Sequence, residues 1–226
     1  MRRLSVIIPT MNEEQSIGLV IDDIRKHLPP GIESEILIVD TDSKDRTREI
    51  AASKGAVVID EPRRGYGRAY KTGFENASGD IICTLDADMT YPADRIPDLI
   101  ALLDKEQLEF LTTNRFAQME PGAMSASHRI GNKLLSIVAR ILFRVKVKDS
   151  QSGMWVFRKD ILPRLDLTSD KMALSEEIKI EAFRKARARE VPIRYSPRVG
   201  EVKLNTWDDG LQNLKFLFKK RFGRAK

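Results

Sequence analysis

Asp86 and Asp88 stand two residues apart, directly after the mostly apolar run Ile81-Ile82-Cys83-Thr84-Leu85. A short apolar run of this kind predicts a buried strand of an α/β sheet, so both carboxylates fall at the strand's carboxyl end. That edge is where open α/β sheets bind their ligands. Two anions beside a buried strand are costly unless a cation or a strong set of donors compensates them. A divalent metal that also holds phosphate oxygens would meet both conditions. A plainer reading stays open at this point: Asp88 or Thr90 caps a helix that Pro92 begins.

The elements that would position this pair are legible on both sides of it. Residues 4–8 read as a first strand, followed by a turn at Pro9 to Asn12 and a helix with Ile17, Val20, Ile21, Ile24 and Leu28 on one face. Asn12 with Gln15 is expected to cap that helix, with Glu13 and Glu14 at its positive end, and Pro29-Pro30-Gly31 stops it. Residues 36–39 form a second strand that ends in Asp40-Thr41-Asp42-Ser43-Lys44-Asp45. A short helix over 46–54 and a third strand over 56–59 follow. The repeat of strand, acidic loop and helix predicts a parallel sheet with right-handed crossovers. Arg63-Arg64-Gly65-Tyr66-Gly67 reads as a flexible basic loop, and Ala69, Gly73 and Ala77 place a small-residue stripe on the next helix. After the acid pair, 92–105 is helical with Ile96, Leu99, Ile100 and Leu103 inward, and 110–113 is another strand.

The second half is less regular. A loop over 114–123 precedes a long helix over 125–143; then come Asp149-Ser150-Gln151-Ser152-Gly153, an apolar segment over 154–157, a helix over about 175–187 and an extended stretch over 191–195. Arg198 to Leu204 forms a loop before a last helix that is basic and amphipathic, with Leu211, Leu214, Leu217, Phe218 and Phe222 on one face. Two readings of that helix stand side by side, a packed terminal helix with a solvated charged side and a membrane-surface contact.

Composition bounds what the chain can be. Its 226 residues, 42% of them hydrophobic, are enough for one large domain with a core. The single cysteine, Cys83, excludes a disulfide framework and a cysteine metal cluster, and two histidines do not make a metal centre. Lys and Arg exceed Asp and Glu by 39 to 33, which favours anionic partners. Nucleic acid is not expected, because aromatic residues are sparse in the basic patches outside Phe216, Phe218 and Phe222. The first apolar run is too short for a signal sequence, and none reaches the roughly 18 residues of a membrane span. A cytoplasmic protein is expected, peripheral on the cytoplasmic face of the membrane.

Taken in order, Val6-Ile7-Ile8-Pro9-Thr10-Met11-Asn12-Glu13-Glu14, Val39-Asp40 with Ser43, Asp45 and Thr47, and Leu85-Asp86-Ala87-Asp88 resemble the family 2 glycosyltransferases. Later pieces narrow the resemblance to the polyprenyl-phosphate (dolichol-phosphate) mannose or glucose synthases. These are Asn114-Arg115-Phe116, Arg129 with Asn132, Asp149 with Gln151-Ser152-Gly153, Glu177 with Ile180-Glu181-Ala182, Pro192-Ile193-Arg194-Tyr195, and Arg198, Gly200 and Lys203-Leu204. The resemblance implies an α/β, Rossmann-like GT-A fold: a mostly parallel central sheet flanked by helices, with a C-terminal acceptor-binding part. It implies one domain over 1–226, with a nucleotide-sugar-binding half over 1–113 and an acceptor-binding half over 114–226. Three departures stand out. Thr41 replaces the second acid of the usual Val-Asp-Asp, with Asp42 next to it; Thr90 stands where mannose synthases commonly carry a metal-contacting glutamine; and no transmembrane helices follow, so a lipid substrate would be met at the membrane surface.

The activity so implied is inverting, metal-dependent transfer of a hexose, mannose above all, from GDP-mannose or UDP-glucose to a polyprenyl phosphate. Pro9, Thr10, Asn12, Glu13, Asp40, Asp42, Asp86 and Arg198 would then hold the donor, and Asp86 and Asp88 a Mg²⁺ or Mn²⁺ ion. Asp88, Arg115, Arg129, Asp149, Gln151 and Lys203 would serve the transfer itself, the cations because guanidinium and ammonium groups suit phosphate oxygens. A hydroxyl acceptor on a glycan or small molecule is the alternative; it would need a carboxylate base, for which Asp149, Glu176 and Glu177 are candidates.

Overall fold

The computed structural model describes residues 2–200 and 206–223. Four strands come first, β1 (Arg3–Thr10), β2 (Glu33–Asp40), β3 (Val57–Asp60) and β4 (Ile81–Thr84), then β5 (Phe110–Met119), β6 (Trp155–Arg158) and β7 (Ala188–Tyr195). The helices between and after them are α1 (Ile17–His27), α2 (Thr47–Ser53), α3 (Tyr66–Asn76), α4 (Ile96–Lys105), α5 (Ala126–Phe143), α6 (Leu174–Lys185) and α7 (Thr206–Phe222). Among the described residues the strands form one sheet of seven in the order β3-β2-β1-β4-β6-β5-β7.

The parallel part is as the sequence repeat predicts. β1 pairs in parallel with β2 and β4, and β2 with β3, so the ends of β1, β2 and β4 lie on one edge. Alternation along β1 sends Leu4, Val6 and Ile8 into a core shared with Ile17, Ile21 and Ile24 of α1 and Leu99 and Ile100 of α4. Ile7 points to the opposite face, where Tyr70 and Phe74 of α3 and Leu174 and Ile178 of α6 pack with Trp155 and Phe157. On α3, a Cβ at Gly73 would collide with Ile7, so glycine lets this helix lie against the sheet. A third apolar cluster joins Leu135, Ala139 and Phe143 of α5, Ile180 of α6 and Leu217 of α7.

Several sequence expectations need correction. The sheet is mostly parallel, as the resemblance implies, but β6 runs antiparallel between β4 and β5, which the strand, loop and helix repeat does not predict. The stretch after Thr113 is strand, not loop: β5 continues to Met119, because β7 supplies a parallel partner from Asn114↔Pro192 to Met119↔Tyr195, with an irregularity between Asn114 and Gln118. α3 begins inside the presumed basic loop, at Tyr66, held there by Arg68 N–H on the Asp170 carbonyl (3.0 Å). Asn12 does not cap α1; it sits at φ 55° and ties to the next loop, its N–H on Ser43 Oγ (2.8 Å) and its Oδ1 accepting from Lys44 N–H (2.7 Å). The last helix, from Thr206, follows the loop that ends at Leu204 as expected.

Candidate active site

β4 ends at Thr84 and delivers Asp86 and Asp88 to a cleft of about 450 Å³. The capping reading of Asp88 fails: neither the short 3₁₀ turn Ala93–Arg95 nor α4 has a side-chain cap. Asp88 Oδ1 instead accepts from the Thr90 hydroxyl (2.6 Å) and Thr90 N–H (3.1 Å), which fixes its rotamer, and Oδ2 lies 3.6 Å from the Arg198 guanidinium. The strand end is stitched to the loop after β7, with Val199 N–H on the Asp88 carbonyl (2.9 Å) and Ser196 N–H on that of Thr90 (3.1 Å).

Asp86 has fewer partners. Tyr66 donates its hydroxyl to Oδ1 at 3.3 Å, and a Cβ at Gly153 would come within 3.1 Å of both carboxylate oxygens and 2.7 Å of the Tyr66 oxygen. Only glycine lets this backbone approach so closely. Burial first, then the charge of Asp88, pushes the Asp86 carboxyl up to about 7. Near neutral pH Asp86 therefore keeps part of its proton. Among the described residues no group of three His, Cys, Asp or Glu side chains could hold a metal ion. Two carboxylates on a cleft suit a hard divalent ion whose remaining positions go to ligand and water oxygens.

A second acid is buried 63 residues along the chain from Asp86 and meets the opposite fate. Asp149 takes a bidentate fork from Arg115, Nε to Oδ2 at 2.7 Å and Nη2 to Oδ1 at 2.8 Å, plus Arg115 N–H at 3.0 Å. Burial alone would raise its carboxyl, but the Arg115 charge and hydrogen bonds, with Lys179 behind, hold it below the usual carboxylate range. Lys179, buried on α6, donates to the carbonyls of Asp149 (3.1 Å), Ser150 (2.9 Å) and Ser152 (2.6 Å). Burial pushes this ammonium down to about 7 against the pull of Asp149. Tyr91 and Thr84 hold Gly153 from the sheet side, by Gly153 N–H on the Tyr91 hydroxyl (2.6 Å) and the Thr84 hydroxyl on the Gly153 carbonyl (2.7 Å). The loop over 149–153 is thus fixed before any ligand arrives.

The cleft gathers some of the expected residues and leaves others outside. Pro9, Thr10 and Glu13 line it from the end of β1, and Asp86, Asp88, Arg115, Gln151 and Arg198 from the other side. Gln151 is held between α6 and α7, donating to Glu176 Oε2 (2.8 Å) and accepting from Asn213 (3.1 Å). Asp40 lies off the cleft lining: its buried carboxylate accepts from Thr10, Ser43 and Arg48, and these hydrogen bonds outweigh burial to keep it below its usual range. It braces the loops after β1 and β2. Asn12 and Asp42 also stand off the lining, Asp42 at φ 57° beside Lys44. Asp149 sits behind Arg115, and Arg129 is exposed on α5 away from the cleft. Lys203 lies outside the described residues.

Residues not singled out from sequence complete the walls. Tyr66, Arg64 and Asn213 line the cleft, and so does His128, one of the two histidines that do not make a metal centre. Burial, then the Arg115 charge, lowers the His128 imidazole, so it is neutral at neutral pH. The signal for it was helical spacing: His128, Asn132 and Leu135 share one face of α5, and Arg129, one residue on, is turned about 100° away. The helix-borne acids are consumed internally. Glu177 accepts from Thr168, Ser169 and Lys220, and burial drives Glu176 well above the usual carboxylate range.

Residues 5–165 match the family described as Glycosyl transferase family 2. The chain is 36% identical over 218 residues to the low-salt glycan biosynthesis hexosyltransferase Agl6 of Haloferax volcanii, covering 95% of this chain and 52% of that protein. It therefore spans about half the length of that relative. To the dolichyl-phosphate hexose transferase of the same organism it is 34% identical, covering 92% of this chain and 89% of the relative. Its backbone superposes with a TM-score of 0.79, at 22% identity and over 100% of this chain and 81% of the other, on glucosyl-3-phosphoglycerate synthase from Mycobacterium tuberculosis in complex with Mn²⁺, UDP and glucosyl-3-phosphoglycerate. The chain belongs to glycosyl transferase family 2 and carries the GT-A fold.

Proposed function

We propose that this protein transfers a hexose, mannose on the sequence resemblance, from a nucleoside-diphosphate sugar to a polyprenyl phosphate, by one in-line displacement with inversion. The observation that carries the reading is a cleft lined by an acid pair and by guanidinium groups, while none of the three carboxylate candidates for a base, Asp149, Glu176 and Glu177, lines it. A sugar hydroxyl must lose a proton as it attacks, whereas a phosphate monoester, second pKa about 6, is already largely ionised at neutral pH. Asp149 is forked by Arg115, Glu177 is held by Thr168, Ser169 and Lys220, and Glu176 by Gln151. None of the three lines the cleft. An acceptor that needs no base fits this arrangement better than a hydroxyl.

Asp86 and Asp88 would hold Mg²⁺ or Mn²⁺. Such an ion supplies Lewis-acid stabilisation of the leaving diphosphate. The protein's own residues do the rest. Thr90 keeps Asp88 in one rotamer, which gives this threonine a positioning role in place of a third metal ligand. Pro9, Thr10 and Glu13 shape the wall for the nucleoside, and GDP-mannose and UDP-glucose are the donors to try. Arg198 and Arg64 reach the cleft as cations for phosphate, while the Arg115 charge is already matched by Asp149. The acceptor's lipid tail would lie in a membrane surface beside the half of the chain after residue 113.

The test is transfer of label from each donor into organic-extractable product, with Mg²⁺ or Mn²⁺, with and without polyprenyl phosphate. Product that requires both metal and lipid is expected from one donor. Transfer to a soluble hydroxyl acceptor without lipid would overturn the reading.

A further inference from the structure

α5 has two apolar faces. Leu135, Ala139 and Phe143 are buried against α6 and α7, while Ile130, Leu134, Ile137 and Ile141 are 69%, 56%, 47% and 72% exposed. At about 100° per residue these four fall within an arc of about 60°, opposite the packed face, and run about 16 Å along the helix. Single exposed apolar residues need no explanation, but an aligned stripe of four large ones does.

Charge identifies what covers it. Arg129, Lys133 and Arg140 occupy the adjoining arc, and residues 121–148 carry six Lys or Arg and no Asp or Glu. α7 repeats the pattern beyond its packed face, with Leu211, Phe218 and Phe222 exposed among Lys215, Lys219 and Arg221. The Phe218 and Phe222 rings stack at 6.2 Å. A second copy seated on the α5 stripe would bring like charges together, whereas anionic headgroups would neutralise them while their acyl chains take up the isoleucines.

We propose that the outward face of α5 docks the protein on an anionic lipid bilayer. The helix lies in the interface, and the cleft, lined by His128 and Asn132 on its other side, is held within about one helix diameter, ~10 Å, of the headgroups. This rests on the transfer reading only for the whereabouts of the acceptor; the docking face itself is argued from α5.

Co-sedimentation of the whole chain is measured with vesicles of phosphatidylcholine and of phosphatidylcholine mixed with phosphatidylglycerol, containing neither polyprenyl phosphate nor donor. Binding to the anionic vesicles alone, weakened by salt, is expected. Ile130→Ser/Ile137→Ser/Ile141→Ser should reduce it at least tenfold with an unchanged melting curve, and Lys133→Gln/Arg140→Gln should reduce it with a smaller salt dependence. Absence of binding, equal binding by both variants, or a stripe-dependent dimer that ignores vesicles would overturn the proposal. Vesicle binding without lipid-linked product would remove the transfer reading and leave this one. Transfer to a detergent-dispersed polyprenyl phosphate without vesicle binding would do the reverse.

Discussion

Two buried aspartates stand at and behind the cleft, and their surroundings drive them in opposite directions. Asp149 has its counter-charge inside the protein, a bidentate arginine with a lysine behind it, and is held ionised. Asp86 has a tyrosine hydroxyl at 3.3 Å and a second acid beside it, and its carboxyl rises to about 7. Burial is common to both, so it is not what separates them. A buried charge matched within the fold organises structure, whereas one on a cleft without an internal counter-charge would be stabilised by a cation from outside.

The comparison breaks most sharply at the acid pair. Asp88→Asn should lower transfer by about 10²–10³, a loss of several kcal/mol of electrostatic stabilisation, while the melting curve stays near that of the unchanged protein. Near-normal turnover at saturating metal would remove Asp88 from its role. On the other side, Arg115→Met should cost about 3–5 kcal/mol of stability in denaturant unfolding, because Asp149 is left buried and unpaired. Arg115→Met/Asp149→Leu should recover most of that loss. If the double variant were no better than the single, the pair would not be the matched charge described here.

Asp86→Asn sharpens the contrast through pH. In the unfolded chain Asp86 releases its proton near 3.8 and in the fold near 7, so between those values the metal-free native state holds the extra proton. Stability therefore falls as pH rises through that window, and the cost is complete above 7. The amide should raise the melting temperature at pH 8 by roughly 3–8 °C, corresponding to about 1–2 kcal/mol, and leave it unchanged near pH 4. Asp149 works with the other sign: its depressed value contributes stability above the ordinary carboxylate range that is lost as pH falls through the lowered one. The smallest effect expected is that of Tyr66→Phe, about 0.5–1 kcal/mol, since the hydrogen bond it removes is long at 3.3 Å. It should push the Asp86 titration higher still, which a pH series of melting curves would read.

What the sequence determined by itself was local. Five mostly apolar residues running into Asp86-Ala87-Asp88, and the repeat of strand, acidic loop and helix before them, were enough for the parallel strands β1 to β4 and for an acid pair on their carboxyl edge. Patterns of period 2 and 3.6 need no knowledge of distant chain. Tertiary structure alone decided which charges face the cleft. Arg115 and Arg129 look alike in sequence, yet one is buried in the cleft wall on Asp149 and the other points outward from α5, while His128 turns inward. The antiparallel insertion of β6 and the extension of β5 to Met119 depend on strands brought from far along the chain. Whether a carboxylate is spent or kept is set by the charge lying within a few ångströms of it, and for Asp149 the fold brings that charge from Arg115, 34 residues away.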